Sequence, residues 1–74
     1  MKVYRLWVRS PYDGNHPEGY YRSKEVASYE GTRRCAAIED YTRKYYSSPK
    51  DKDEYDYAME VTSFTVELLK FEDD

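Results

Sequence analysis

Two side chains in this 74-residue chain could combine as a thiol nucleophile and its base, Cys35 and His16. A reactive thiolate needs a neighbouring base, cation or helix N-terminus. His16 falls in a stretch of turn formers, whereas Cys35 falls on the apolar stripe of the clearest helix in the sequence. Cys35 therefore reads as a packed structural thiol. The run Asp13-Gly14-Asn15-His16-Pro17-Glu18 offers carboxylates and an imidazole, but its spacing matches no metal motif and it reads as a polar turn. One Cys and one His cannot complete a four-ligand zinc site from nitrogen and sulfur alone. Adjacent carboxylates such as Asp53 and Glu54 lie in a very polar segment, where nothing would raise a pKa for acid–base work. Glycine-rich phosphate loops and a GxSxG elbow are absent. The chain is expected to be no enzyme, with no cofactor and no metal.

Binding is the chemistry that remains. Ten tyrosines are more than so short a chain can enclose with every hydroxyl satisfied. Tyrosine offers large contact area with few rotamers to freeze, which suits it to interfaces. Residues 1–49 carry nine Lys/Arg and six Asp/Glu (+3), and residues 50–74 carry three and nine (−6). Tyrosines beside acids in that last third would dock a basic surface, with the field steering the encounter. Asp53, Glu54, Tyr55, Asp56 and Tyr57 are the expected acidic contact, and Trp7 with Tyr20 an aromatic one. The expected function is a small inhibitor or adaptor that occludes a protein partner. Small acidic single-domain chains of this kind are often encoded by phages and mobile elements, and the target would then be a host nucleic-acid-handling or defence protein.

Two alternatives come from the sheet that these elements imply. Arg5, Trp7, Arg9, Arg22 and Lys24, with Tyr20, would share one face if the first two strands pair. Cations interleaved with rings suit single-stranded nucleic acid, since rings stack on bases while cations neutralise phosphate. A pI near 5.1 argues against a dedicated binder. The same uncovered face could instead join two copies in a structural homodimer.

The positioning elements follow from periodicity. Lys2–Arg9 reads as a strand with Tyr4, Leu6 and Val8 on one face and Val3, Arg5, Trp7 and Arg9 on the other. Ser10–Gly19 is expected to be a loop because of Pro11, Gly14, Pro17 and Gly19. Tyr20–Ala27 reads as a second strand, competing with a helix from Ser23. A helix is predicted from about Tyr29 to Tyr46, capped by Ser28 and stopped by Pro49. Its stripe gathers Cys35, Ile38, Tyr41 and Tyr45, and Tyr4, Tyr41 and Tyr45 are assigned to the core. Gly31 implies close contact with the sheet or a helix start at Thr32, and Arg34 must snorkel or pair with a sheet residue.

The alternating run from Tyr55 to Val61 and the run from Phe64 to Leu68 read as two further strands. They fold back near Thr62-Ser63, because seventeen extended residues would span roughly 56 Å and a compact chain of this length is only about 30 Å across. Leu69 and Phe71 are out of phase and suggest a bulge. The expected fold is α+β, one domain over residues 1–74: a ββαββ antiparallel sheet of about four strands with one helix on one face. No run is long enough for a membrane span, and no apolar signal core follows Met1. The lone cysteine fits a reducing compartment, so a cytoplasmic location is expected, that of the host if a phage encodes the chain.

Overall fold

The computed structural model describes residues 1–71. The chain runs β1 (Lys2–Ser10), β2 (Gly14–Tyr21), α1 (Lys24–Tyr45), a 3₁₀ turn (Pro49–Asp51), α2 (Lys52–Val61) and β3 (Ser63–Lys70). The sheet is antiparallel in the order β2-β1-β3. It is a small α+β fold with both helices packed against three strands, and the order is ββααβ rather than ββαββ.

Each departure from expectation has a local cause. The hairpin between β1 and β2 turns on Pro11, Tyr12 and Asp13, with Gly14 at φ +82° taking the left-handed conformation. Pro17 and Gly19 then fall inside β2 instead of a loop. An edge strand tolerates proline, since its outward side needs no donor, and the pairing slips by one residue between Leu6/Gly19 and Trp7/Pro17. Glu18 is the extra residue of that bulge. The second strand thus ends at Tyr21, and α1 begins at Lys24 with Ser23 as its cap, its Oγ accepting from the Val26 N–H. Arg22 lies between the two elements, and Lys24 lies on the helix.

The segment read as a third strand is α2. Ser48 Oγ accepts from the Lys50 N–H, Pro49 opens the 3₁₀ turn, and Asp53 and Glu54 sit in the first turn of α2, where the helix dipole favours them. Lys52 and Asp56 pair at 2.7 Å one turn apart. The burial of Tyr55, Ala58, Met59 and Thr62 repeats every three to four residues and overrides the alternation of Tyr55, Tyr57, Met59 and Val61. The break at Thr62-Ser63 stands, as a helix end: the Thr62 N–H and Oγ1 both donate to the Ala58 carbonyl, at 3.2 and 2.8 Å. β3 then pairs along its length with β1 without a register shift, so Leu69 needs no bulge and sits opposite Val3.

Registers assign the faces. Tyr4, Leu6 and Val8 of β1 and Leu68, Val66 and Phe64 of β3 face the helices, whereas Val3, Arg5, Trp7 and Arg9 face away. α1 runs along β1 in the same direction. Gly31 meets Phe64 so closely that an added Cβ would fall 2.4 Å from the ring, which accounts for the glycine. Arg34 pairs with Glu18 of β2 at 3.1 Å, the bulge having turned that carboxylate toward the helix. The core is thin: the buried apolar side chains are Leu6, Val8, Ala27 and Ala58. The radius of gyration is 15.0 Å and the long dimension 55 Å, against about 11 Å for a compact chain of this length. The expected 30 Å body is therefore wrong. No helix of the described residues is long and apolar enough to cross a membrane.

Candidate functional site

α1 is longer than the sheet beneath it. Ile38 lies beside Val8 and Ser10 at the last residues of β1, and Thr42 meets the hairpin turn through Tyr12. Thr42 is fully buried and its Oγ1 donates to the Ile38 carbonyl at 2.9 Å. A hydroxyl has one hydrogen, so the Tyr12 O–H must be the donor in the 2.6 Å bond to Thr42 Oγ1. Beyond this latch the helix has no strand under it. Tyr41 and Tyr45 continue the stripe that holds Ala27, Gly31 and Ile38, yet they are 52% and 61% exposed. Their assignment to the core fails because the sheet ends before the helix does.

The overhang assembles a row of rings. Tyr41 meets Tyr12 edge-on at 5.1 Å, Tyr45 stacks on Tyr41 at 5.7 Å, and Tyr46 meets Tyr45 edge-on at 4.8 Å. Behind Tyr46 the first turns of α2 bound an open hollow of about 300 Å³. Tyr12, Tyr46 and Tyr57 wall it with Asp53 and Glu54, and Ala58 lies at its base. Burial pushes the Tyr46 phenol up, and the carboxylates of Glu54 and Asp51 push in the same direction. Among the described residues neither Asp53 nor Glu54 has an ion-pair partner, while Glu18, Glu30, Asp40, Asp56 and Glu67 are paired.

Comparison of the chain with protein-family models, curated proteins and solved structures finds no match.

The expected acidic contact is thus divided. Asp53, Glu54 and Tyr57 line the hollow; Tyr55 turns inward, half-buried, and Asp56 is held by Lys52. The acidic residues Glu72, Asp73 and Asp74 lie outside the described residues. Tyr12, Tyr41 and Tyr45 were not expected at a contact, whereas Tyr46, left over from the core beside a charged segment, was. The signal of Tyr41 and Tyr45 in sequence is tyrosine at i and i+4 on a helical stripe, which reads equally as core.

Trp7 and Tyr20 lie elsewhere, on the open face of the sheet. Tyr20 pairs in register with Arg5 as drawn, but Arg22 and Lys24 are not on that face. Arg5 is tied down: its Nε and Nη2 donate to Glu67 Oε1 at 2.9 and 2.7 Å, and the guanidinium lies 4.9 Å from the Trp7 ring centroid. Trp7 Nε1–H donates to the same oxygen at 2.9 Å. These donors hold the Glu67 carboxyl below the usual carboxylate range, Trp7 first and Arg5 second. A carboxyl depressed in the folded state stabilises the fold above its unfolded pKa, and that contribution disappears as pH falls through the folded value. Thermal stability should therefore drop on acidification from pH 5, and Glu67→Gln should flatten part of that slope. Identical slopes for the two proteins between pH 5 and 2 would remove Glu67 as the cause.

Cys35 and His16 are not brought together. His16 lies on the β2 flank of α1 and bonds the Asp13 carbonyl, whereas Cys35 lines a groove on the β3 flank. Burial, then the nearby Glu39 carboxylate, pushes the Cys35 thiol up, away from the thiolate.

Proposed function

We propose that this chain is a non-enzymatic protein-binding module whose tyrosine-lined acidic end docks a basic surface of its partner, blocking or bridging that partner by occlusion. The observation that carries the reading is the hollow at the overhang, where unpaired Asp53 and Glu54 stand beside exposed rings. Carboxylates attract a cationic side chain, and tyrosine faces hold it by cation–π contact once it is partly desolvated. The separation of Cys35 from His16 and the raised thiol pKa favour binding over catalysis.

The single-stranded nucleic-acid reading is the weaker one. Arg5 spends its charge on Glu67 and its flat face on Trp7, and Arg22 and Lys24 stand off the sheet.

The test is an anisotropy titration of a labelled arginine-rich peptide. The wild-type chain should bind it in a salt-sensitive manner, and Asp53→Lys/Glu54→Lys should weaken binding at least tenfold. A charge-matched control, Glu25→Lys/Glu30→Lys, reverses two acids at the far end of α1 and should bind nearly as the wild type does. Equal losses in both variants would mean that net charge alone attracts the peptide, and the site assignment would fall.

A further inference from the structure

The two edges of the sheet are built differently. β2 carries the features that discourage strand addition: Pro17 without an N–H, the bulge at Glu18, and Gly14 and Gly19 at positive φ. β3, Ser-Phe-Thr-Val-Glu-Leu-Leu-Lys, has no proline, no glycine and an unbroken register over its eight residues. Its outer side presents a straight row of backbone donors and acceptors, which is what an added strand pairs with.

We infer that the β3 edge is the contact for a second copy of this chain, with β3 pairing antiparallel to its own two-fold mate in a continuous six-stranded sheet. A two-fold axis normal to the sheet keeps the helices of both copies on one side, so each residue must oppose one of the same parity. Few registers then remain. Centring the axis on Glu67 sets two like charges directly opposite, which is destabilising. Centring it on Leu68 sets Val66 against Lys70 and Glu67 against Leu69. Centring it on Thr65 leaves Leu68 and Leu69 without partners. Centring it on Val66 pairs Val66 with Val66 and Phe64 with Leu68 on the helix side, and Thr65 with Glu67 on the other. That register matches apolar with apolar and covers Leu68, now 44% exposed.

The flank of α1 above this edge has room for the copy. Thr32, Cys35 and Ala36 line a groove of about 400 Å³ with Ser63 and Phe64. With the axis at Val66 the two α1 helices would run antiparallel and adjoin along their N-terminal turns, and the groove lies just beyond the start of the mate's helix.

The mass of the unmodified chain at millimolar concentration is the first measurement: sedimentation equilibrium should rise from 8.9 kDa toward twice that value. The second is cross-linking in a Cys35→Ser background. Across the axis the Val66 Cα atoms would stand about 4.5–5.5 Å apart, inside the range for a disulfide. Those of Leu68 would stand roughly 13 Å apart at 3.3 Å per residue. Val66→Cys should therefore form a covalent dimer at least tenfold faster than Leu68→Cys, although Leu68 is the more exposed position. A chain that stays at 8.9 kDa overturns the inference. So does a dimer that cross-links faster through Leu68→Cys, or through neither cysteine, as contact by the open Trp7 face would give.

Discussion

Gly31→Ala should destabilise the protein by about 2 kcal/mol, against the intrinsic preference of a helix for alanine. Alanine is favoured over glycine in a helix interior by about 1 kcal/mol, so a glycine with space around it would make the substitution stabilising. Gly31 has no such space. An added Cβ would lie 2.4, 2.5 and 2.8 Å from Cδ2, Cγ and Cε2 of Phe64, where carbon pairs prefer about 3.5–4.0 Å. Relieving that overlap must rotate the ring or lift α1 off the sheet, and overpacking of this kind costs about 3 kcal/mol at its upper range. A net 2 kcal/mol corresponds to a fall in melting temperature of roughly 8–16 °C for a domain of this size. Adding Phe64→Leu to Gly31→Ala should recover part of the loss, since residues in contact are not additive. A melting temperature equal to or above wild type in Gly31→Ala alone would show that helix and sheet are not in contact there.

The same glycine shows how far the sequence could be read. A glycine in an otherwise helical stretch implied either close approach to the sheet or a helix start at Thr32, because its cost needs a local reason, and the structure shows the first. Likewise Arg34, a charge near an apolar stripe, had either to snorkel or to pair with a sheet residue, and it pairs with Glu18. The faces of β1 were equally legible, since alternation states them directly, whereas the break at Thr62-Ser63 was placed correctly from a body taken as too short and is a helix end. Three things were not. Pro17 and Gly19 are turn formers by type, and only their place on an edge strand with a bulge makes them compatible with β2. Tyr55, Tyr57, Met59 and Val61 satisfy a period of two, while Tyr55, Ala58, Met59 and Thr62 satisfy the helical period. The Ser48-Pro49 start and the Lys52–Asp56 pair favour the helix over the strand. Tyr41 and Tyr45 stand on the correct stripe of α1, but periodicity reports only which side a residue faces. Whether anything lies on that side depends on how far α1 runs past the end of β1, and the expected helix start at Tyr29 instead of Lys24 hid that overhang. The candidate site follows from the same overhang, which is why Tyr12 went unnoticed while Asp53 and Glu54, marked by charge alone, did not.

Leu6→Ala should remove a large share of the total stability. Leu6 is fully buried in the central strand, and of the four buried apolar side chains among the described residues two are alanines. A domain of 74 residues is worth roughly 4–11 kcal/mol at 0.05–0.15 kcal/mol per residue. Truncating a buried leucine costs about 2–5 kcal/mol, the spread reflecting how well the surroundings close over the cavity. Here they close poorly. Leu6 sits opposite Gly19 on β2, which has no side chain to move in, and opposite Val66 on β3, held beneath α1. The loss should lie in the upper half of that range, and the urea midpoint should fall by about a third or more at dilute concentration. A loss under about 1 kcal/mol would mean that the native core closes over the deleted atoms after all. The β3 contact adds a second signature, because a folded chain that binds its mate is stabilised by mass action. The Leu6→Ala variant should then recover cooperativity as its concentration rises, whereas in Leu6→Ala/Thr65→Glu, where the exposed new carboxylate would oppose the mate's Glu67 on the open face, unfolding should not depend on concentration. If both variants respond alike to concentration, the stabilising contact lies on another surface, and the thin core must be supported from there.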